Sequence, residues 1–221
     1  MFIRVEVLAA LTACGLLVAC QSDRAPDLSQ ADITKVAELQ ANFGAPFTTS
    51  SVGPAAVDPR LLAPQTLPPG LTFDPQDCAS SAGQQSVPEG TKGNMAAVTA
   101  EGDGVRYIVI AVETSAPVPV HEPSEHCRKV AFSGAGMRGL VEVVEAPQIA
   151  HAHTVGTHRV LQTTTPQGPR TGELYNYVAK FGNFIVIVTA NPLVVADKPV
   201  AKVDTGRARE LVTQAVDLVS G

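Results

Sequence analysis

Two short runs constrain this chain more than any other feature. Val105-Arg106-Tyr107-Ile108-Val109-Ile110-Ala111-Val112 and Phe184-Ile185-Val186-Ile187-Val188-Thr189-Ala190 are nearly continuous in apolar residues and rich in β-branched ones. Both are short for a packed helix and are bounded by turn residues, so each reads as a central strand. Their neighbours extend the pattern. Asn94 to Ala100 joins Val105 to Glu113 through Glu101-Gly102-Asp103-Gly104, a hairpin signal. Arg128 to Ser133 and Leu140 to Glu145 form a second hairpin about the glycines 134, 136 and 139. Val155 to Thr165 is a further strand. Glu173 to Phe181 alternates, with Tyr175, Tyr177 and Ala179 on one face and Asn176, Val178 and Lys180 on the other. Strands that follow one another this closely predict an antiparallel meander.

Helical signals flank these strands. Ser29 and Asp32 form a variant capping box, which predicts a helix from Gln30 to Asn42 ended by Gly44 and Pro46. Near the C-terminus, Ala208, Leu211, Val212, Ala215, Val216 and Val219 fall on one stripe of a helix capped by Asp204 or Thr205. Such a helix needs a surface to cover, and the sheet supplies it. The expected fold class is α+β, a mostly antiparallel sheet of about five to seven strands packed against N- and C-terminal helices. The Pro-, Ser-, Thr- and Gly-rich stretch from Ala45 to Asp77 lacks periodicity and is expected to be a surface loop pinned at its end by Cys78. Ala116 to Glu125, with three prolines, also reads as loop.

The N-terminal run Val5 to Ala19 is interrupted only by Glu6 and is too short to span a membrane, which needs ~20 apolar residues. It ends in Leu17-Val18-Ala19-Cys20, the small-residue and cysteine pattern of a bacterial lipoprotein signal. Leu11-Thr12-Ala13-Cys14 is a second match, but it leaves too short an apolar run. Residues 1–19 are therefore expected to be a signal peptide, 20–28 a tether lipidated on Cys20, and 29–221 a single extracytoplasmic domain. This places the protein on the outer face of the cell membrane, held by lipid. Cysteine usage agrees. Cys14 leaves with the signal and Cys20 carries lipid, so Cys78 and Cys127 remain to pair in an oxidising compartment. Two buried thiols are the alternative.

Chemistry-bearing motifs are sparse. The formal charge of −5 argues against a nucleic-acid partner, because phosphate binding needs a basic patch. Gly134-x-Gly136-x-x-Gly139 matches the dinucleotide fingerprint in letters only. A strand follows it, where the motif requires a helix N-terminus to hold a pyrophosphate. No cofactor is implied. His151 and His153 share a face in an extended segment and, with His158 or His121, form a candidate zinc or copper site. No hydrolase nucleophile motif occurs. Glu142 and Glu145, three apart on a strand, point to opposite faces. The remaining candidate is an apolar cleft between sheet and helix, lined by Tyr107, Tyr175, Tyr177, Phe181 and Phe184.

The lipobox, the Pro-rich lead, Asp77-Cys78, Tyr107-Ile108-Val109, His126-Cys127 and Tyr175-x-Tyr177-x-Ala179 together resemble small mycobacterial lipoproteins with an uncharacterised domain. That domain is similar in layout to the extracellular sensor domain of a mycobacterial serine/threonine kinase. The resemblance implies an antiparallel sheet packed by helices, a disulfide and a binding cleft, and no catalytic residue. The expected function is a non-enzymatic envelope lipoprotein that binds a ligand or partner, such as an apolar molecule or an envelope protein. The alternatives are surface contact with another envelope component and, third, an envelope hydrolase.

Overall fold

A computed structural model describes residues 27–62, 66–83, 86–88, 90–120, 122–166, 168–194 and 199–221. The signal segment, Cys20 and His121 lie outside the described residues. Nine strands form one antiparallel sheet: β1 (Thr48–Ala56), β2 (Thr72–Asp74), β3 (Gly93–Gly102), β4 (Val105–Thr114), β5 (Lys129–Gly134), β6 (Met137–Val144), β7 (His153–Thr165), β8 (Gly168–Phe181) and β9 (Phe184–Pro192). Their spatial order is β1-β3-β4-β9-β8-β7-β6-β5-β2. The two apolar runs become β4 and β9, which pair with each other at the centre, from Val105 opposite Pro192 to Glu113 opposite Phe184.

The sheet exceeds the expected five to seven strands by its two edges, and both edges come from the stretch read as loop. β1 pairs with β3 and β2 with β5. β1 is exposed along nearly all its length, so it carries no apolar alternation to read. Pro54, which has no N–H to give a ladder, is tolerated at an edge. β2 is only three residues long. Two hairpin turns were legible. Asp103-Gly104 and Ala135-Gly136 all have positive φ (50°, 74°, 49° and 75°), as a two-residue turn matched to the strand twist requires. The glycines at 134, 136 and 139 thus belong to a hairpin.

One face of the sheet is covered by helices. The N-terminal helix runs Ile33–Asn42 and is a 3-10 helix, starting three residues later than the sequence suggested. Its cap is Asp32, whose Oδ1 accepts from the Thr34 amide at 2.8 Å. Ser29 instead gives its amide to Asp27. The buried residues Ile33, Val36 and Leu39 recur every three positions, which aligns them on one face at three residues per turn. Of the two proposed caps for the C-terminal helix, Asp204 takes the role and accepts from the Arg207 amide at 3.0 Å. That helix spans Thr205–Ser220 and follows two one-turn helices, so the three are α1 (Pro59–Leu62), α2 (Ala79–Ala82) and α3 (Thr205–Ser220). All six stripe residues of α3 are buried. Leu211 and the valines 212, 216 and 219 each gain about 1.5–3 kcal/mol from that burial. They pack with Tyr107, Val109, Tyr177, Ala179, Val186 and Val188 of the sheet.

The opposite face is covered as well, by irregular chain. Val57, Leu62, Val87 and Val118 pack on Met95, Ile110, Val112, Ile185 and Ile187. Farther along, Leu67, Leu71, Cys78 and Ala82 pack on Val130, Phe132 and Val141. The Pro-rich stretch is thus an edge of the sheet at each end and covering chain between, and together with the segments that carry Cys78, Ala82, Val87 and Val118 it forms a lid over this face. Cys78, at the start of α2, is bonded to Cys127, just before β5, with Cα atoms 5.3 Å apart. The disulfide fastens this lid to the sheet.

All three tyrosines of the chain have phenol pKa values raised above the ordinary 10.0, chiefly by burial. A raised folded value favours the protonated phenol. The resulting stability is complete below the unfolded value near 10 and is lost as pH rises through the folded values. Urea midpoints are therefore expected to fall above about pH 10, with tyrosinate absorbance appearing together with unfolding. Ionisation of all three phenols at the ordinary value with the fold intact would contradict this burial.

Candidate functional site

The residues expected to line an apolar cleft lie on the helix-covered face, and the space between sheet and helices there is packed. Tyr107, Tyr177, Phe181 and Phe184 are 1–7% exposed. The Tyr107 hydroxyl donates to the Asp204 carbonyl at 3.3 Å. The Arg207 guanidinium lies over Phe43 and Phe47, 4.6 and 4.7 Å from the ring centroids. Phe181 stacks on Phe184. Tyr175 is half-buried at the margin of this core and stacks on His158 at 4.1 Å. The structure brings four of the five aromatics into the interior and leaves the fifth at its edge.

The histidines are separated by strand parity. His153 and His158 are five apart in β7, so they face opposite sides of the sheet. His158 Nε2 is 3.3 Å from Glu173 on the helix-side face. His153 Nδ1 is 3.4 Å from Glu122 on the other. His151 sits in the turn before β7, at φ 61°, and is exposed. One three-residue group of metal-type ligands occurs among the described residues, Cys78, His126 and Cys127. Its two sulfurs are bonded to each other, so neither is a thiolate ligand.

An open cleft of about 80 Å³ lies on the face opposite the helices, between the sheet and the lid. Its floor is made by β7 and β8. Val155, Thr157 and Arg159 come from the first, Asn176, Val178 and Lys180 from the second, all on one face by register. Ser81, Ala82 and Ser86 roof it from the lid, and Val120 and Pro123 close one side. The volume exceeds the roughly 10–15 Å³ that admits one water on such a measure, so it holds several waters or a small headgroup. An adjoining cleft of about 350 Å³ shares Pro123, His153 and Val155 with it.

Two polar atoms of the lining, His153 Nε2 and Asn176 Oδ1, are buried without a hydrogen-bond partner. Each such atom costs about 1–3 kcal/mol until something supplies a partner. Burial lowers the pKa of Arg159, whose Nη1 donates to the Thr66 carbonyl at 3.4 Å. Burial also lowers that of Lys180, whose Nζ donates to the Pro119 carbonyl at 3.1 Å. These bonds run from floor to lid, so the cations also hold the cover in place. The alternation of β8 was enough to put Asn176, Val178 and Lys180 on one face. Nothing local marked that face as the open one, because the cleft depends on where a non-periodic lid comes to rest.

The sequence pattern of a family described as a domain of unknown function (DUF5642) matches residues 32–220. Comparison with curated proteins gives no match. The chain is similar to the crystal structure of an uncharacterised Mycobacterium smegmatis protein, an ortholog of Rv0999, with 58% identity and a TM-score of 0.81. That match covers 88% of this chain and 100% of the other. The extracellular domain of PknH from Mycobacterium tuberculosis aligns over 88% of this chain and 98% of its own, at 11% identity and a TM-score of 0.36, a likeness too loose to carry an argument. With the pattern spanning the described domain and a solved relative matching at more than half of aligned positions, the chain belongs to the DUF5642 family.

Proposed function

We propose that this protein is a non-enzymatic lipoprotein of the bacterial cell envelope whose extracytoplasmic domain binds a small ligand in the cleft between β7, β8 and the lid. The observation that carries the reading is the pair of buried atoms, His153 Nε2 and Asn176 Oδ1, left without partners in the lining of an open cleft. Cleft walls that are largely apolar with a few convergent polar groups are the common form of a small-molecule site. The export reading draws on Leu17-Val18-Ala19-Cys20, and the disulfide supports an oxidising compartment. The anchor on Cys20 is tested by replacing it with alanine, which is expected to abolish labelling by a fatty-acid probe.

Binding is tested by filling the cleft. Val178 is part of its floor, and Val178→Phe puts a ring into the space. An organic extract of the source envelope is expected to raise the thermal midpoint of the wild-type chain and leave that of Val178→Phe unchanged. Equal shifts in both proteins, or none in either, would contradict ligand binding at this site.

A further inference from the structure

We infer that the reduced form of the Cys78–Cys127 pair is a zinc site, in which Cys78, Cys127 and His126 bind the ion and Asp77 orients the imidazole. The inference is independent of the ligand-binding reading above. Two short 3-10 turns, Gln76–Cys78 and Glu125–Cys127, meet at the disulfide. Each ends in a cysteine preceded by a polar residue, Asp77 in one and His126 in the other. A ring nitrogen of His126 and the two sulfurs all lie within 4.8 Å of one another. His126 Nε2 is 3.2 Å from Asp77 Oδ1. Cys78 Sγ is 3.9 Å from the same oxygen. Four groups from two segments 49 positions apart thus converge on one point.

The donor set is one that zinc takes. Thiolate and imidazole bind it in tetrahedral sites, with Zn–S about 2.3 Å and Zn–N about 2.0–2.1 Å. Those lengths set two bound sulfurs about 3.8 Å apart, and a sulfur and a nitrogen about 3.6 Å apart. The His126 ring stands near this range, so the site asks chiefly that the two sulfurs, once unbonded, part around the ion. A zinc-bound histidine commonly gives its other ring N–H to a carboxylate, and Asp77 is placed to accept it. The sulfurs lie against Ala82, Val130, Phe132 and Val141, where two bare thiolates are unfavourable and a dication that neutralises both is favoured. The His126 side chain is 59% exposed, which gives the ion a way in and leaves a fourth position to water. The step that opens the site is exchange with a dithiol. The external dithiol is oxidised to its own disulfide, and its two electrons and two protons convert the Cys78–Cys127 bond into two thiols. Zinc then displaces both thiol protons. The bond and the ion fasten the same two turns, so the lid keeps an anchor in either state.

The test uses the full chain carrying Cys14→Ser and Cys20→Ser, which leaves Cys78 and Cys127 as its only cysteines. It is reduced with dithiothreitol, freed of reductant without air, and titrated with cobalt(II) and then zinc. One cobalt per chain is expected, with the visible bands of tetrahedral thiolate coordination, and zinc is expected to bleach them. The oxidised chain is expected to show no such bands. His126→Ala is expected to weaken zinc about 100-fold and Asp77→Asn about tenfold. Because His126 is exposed, oxidised His126→Ala is expected to keep the urea midpoint of the oxidised parent, which separates lost ligation from lost fold. The urea midpoint of the reduced chain is expected to rise with zinc and not with magnesium. A reduced chain without tetrahedral cobalt bands would overturn the inference. Equal zinc affinity in His126→Ala would overturn it as well, because the thiols alone would then hold the ion.

Discussion

Tyr177→Ala is expected to lower the unfolding free energy by about 3–5 kcal/mol, the range for removing a large aromatic from a packed core. The side chain is 1% exposed and packs between the sheet and the helices. Deleting it leaves a cavity that the rigid β8–β9 pairing and α3 cannot close. Its sequence neighbour gives the opposite result. Val178→Phe, on the other face of β8, enters space that is already open and is expected to cost about 1 kcal/mol. The first variant is read in urea denaturation as lost stability, and the second in ligand titration as lost uptake. A Tyr177→Ala protein of nearly unchanged stability that no longer takes ligand would put the binding wall on the helix side instead. Domains of this size have about 5–15 kcal/mol in hand, so the expected loss is a large share of the whole.

Removing the disulfide is the second large effect. Cys78 and Cys127 are separated by 49 positions, and cross-linking a loop of that length stabilises by roughly 2–4 kcal/mol. The Cys78→Ser/Cys127→Ser double variant is expected to lose that amount, measured against the oxidised wild type in urea. Function follows from the bond's position. It holds the start of α2, and Ser81 and Ala82 of this segment roof the cleft. Reduction of the wild type is therefore expected to weaken ligand uptake even where the sheet remains folded. Unchanged stability and uptake after reduction would mean that the lid is held by its packing and its bonds to Arg159 and Lys180 alone.

The sequence was most readable where one physical pattern dominated. Val105 to Val112 and Phe184 to Ala190 are apolar because they are buried at the centre of the sheet, and they were legible as central strands. The α3 stripe was legible for the same reason. The edges were not. β1 touches neither core with most of its side chains, so burial left no imprint on Thr48 to Ala56, and its pairing is carried by backbone groups that every residue has. The N-terminal helix was legible as a helix but not as a 3-10 helix, because Ile33, Val36 and Leu39 also fit the looser spacing of an α-helix.

The site was legible in half. Asn176, Val178 and Lys180 fell on one face and the tyrosines on the other, as β8 has them. The aromatic face drew attention because tyrosine suits half-wet positions, yet the long C-terminal helix covers it closely. The quieter face became the cleft because its cover is a proline-rich lid that meets the sheet at a few points: the disulfide, the packed side chains and the two cations. Lids of this kind have no period, so their resting place is a property of the tertiary fold alone.

The central claim is that the cleft of β7 and β8 is occupied in the cell. Native mass spectrometry of the full chain, isolated gently from its source cells, tests this most directly when run beside Val178→Phe. The account predicts a non-covalent adduct on the wild type, stripped by mild collisional activation and absent from the variant. A wild type that carries nothing, or an adduct retained in full by Val178→Phe, would contradict it.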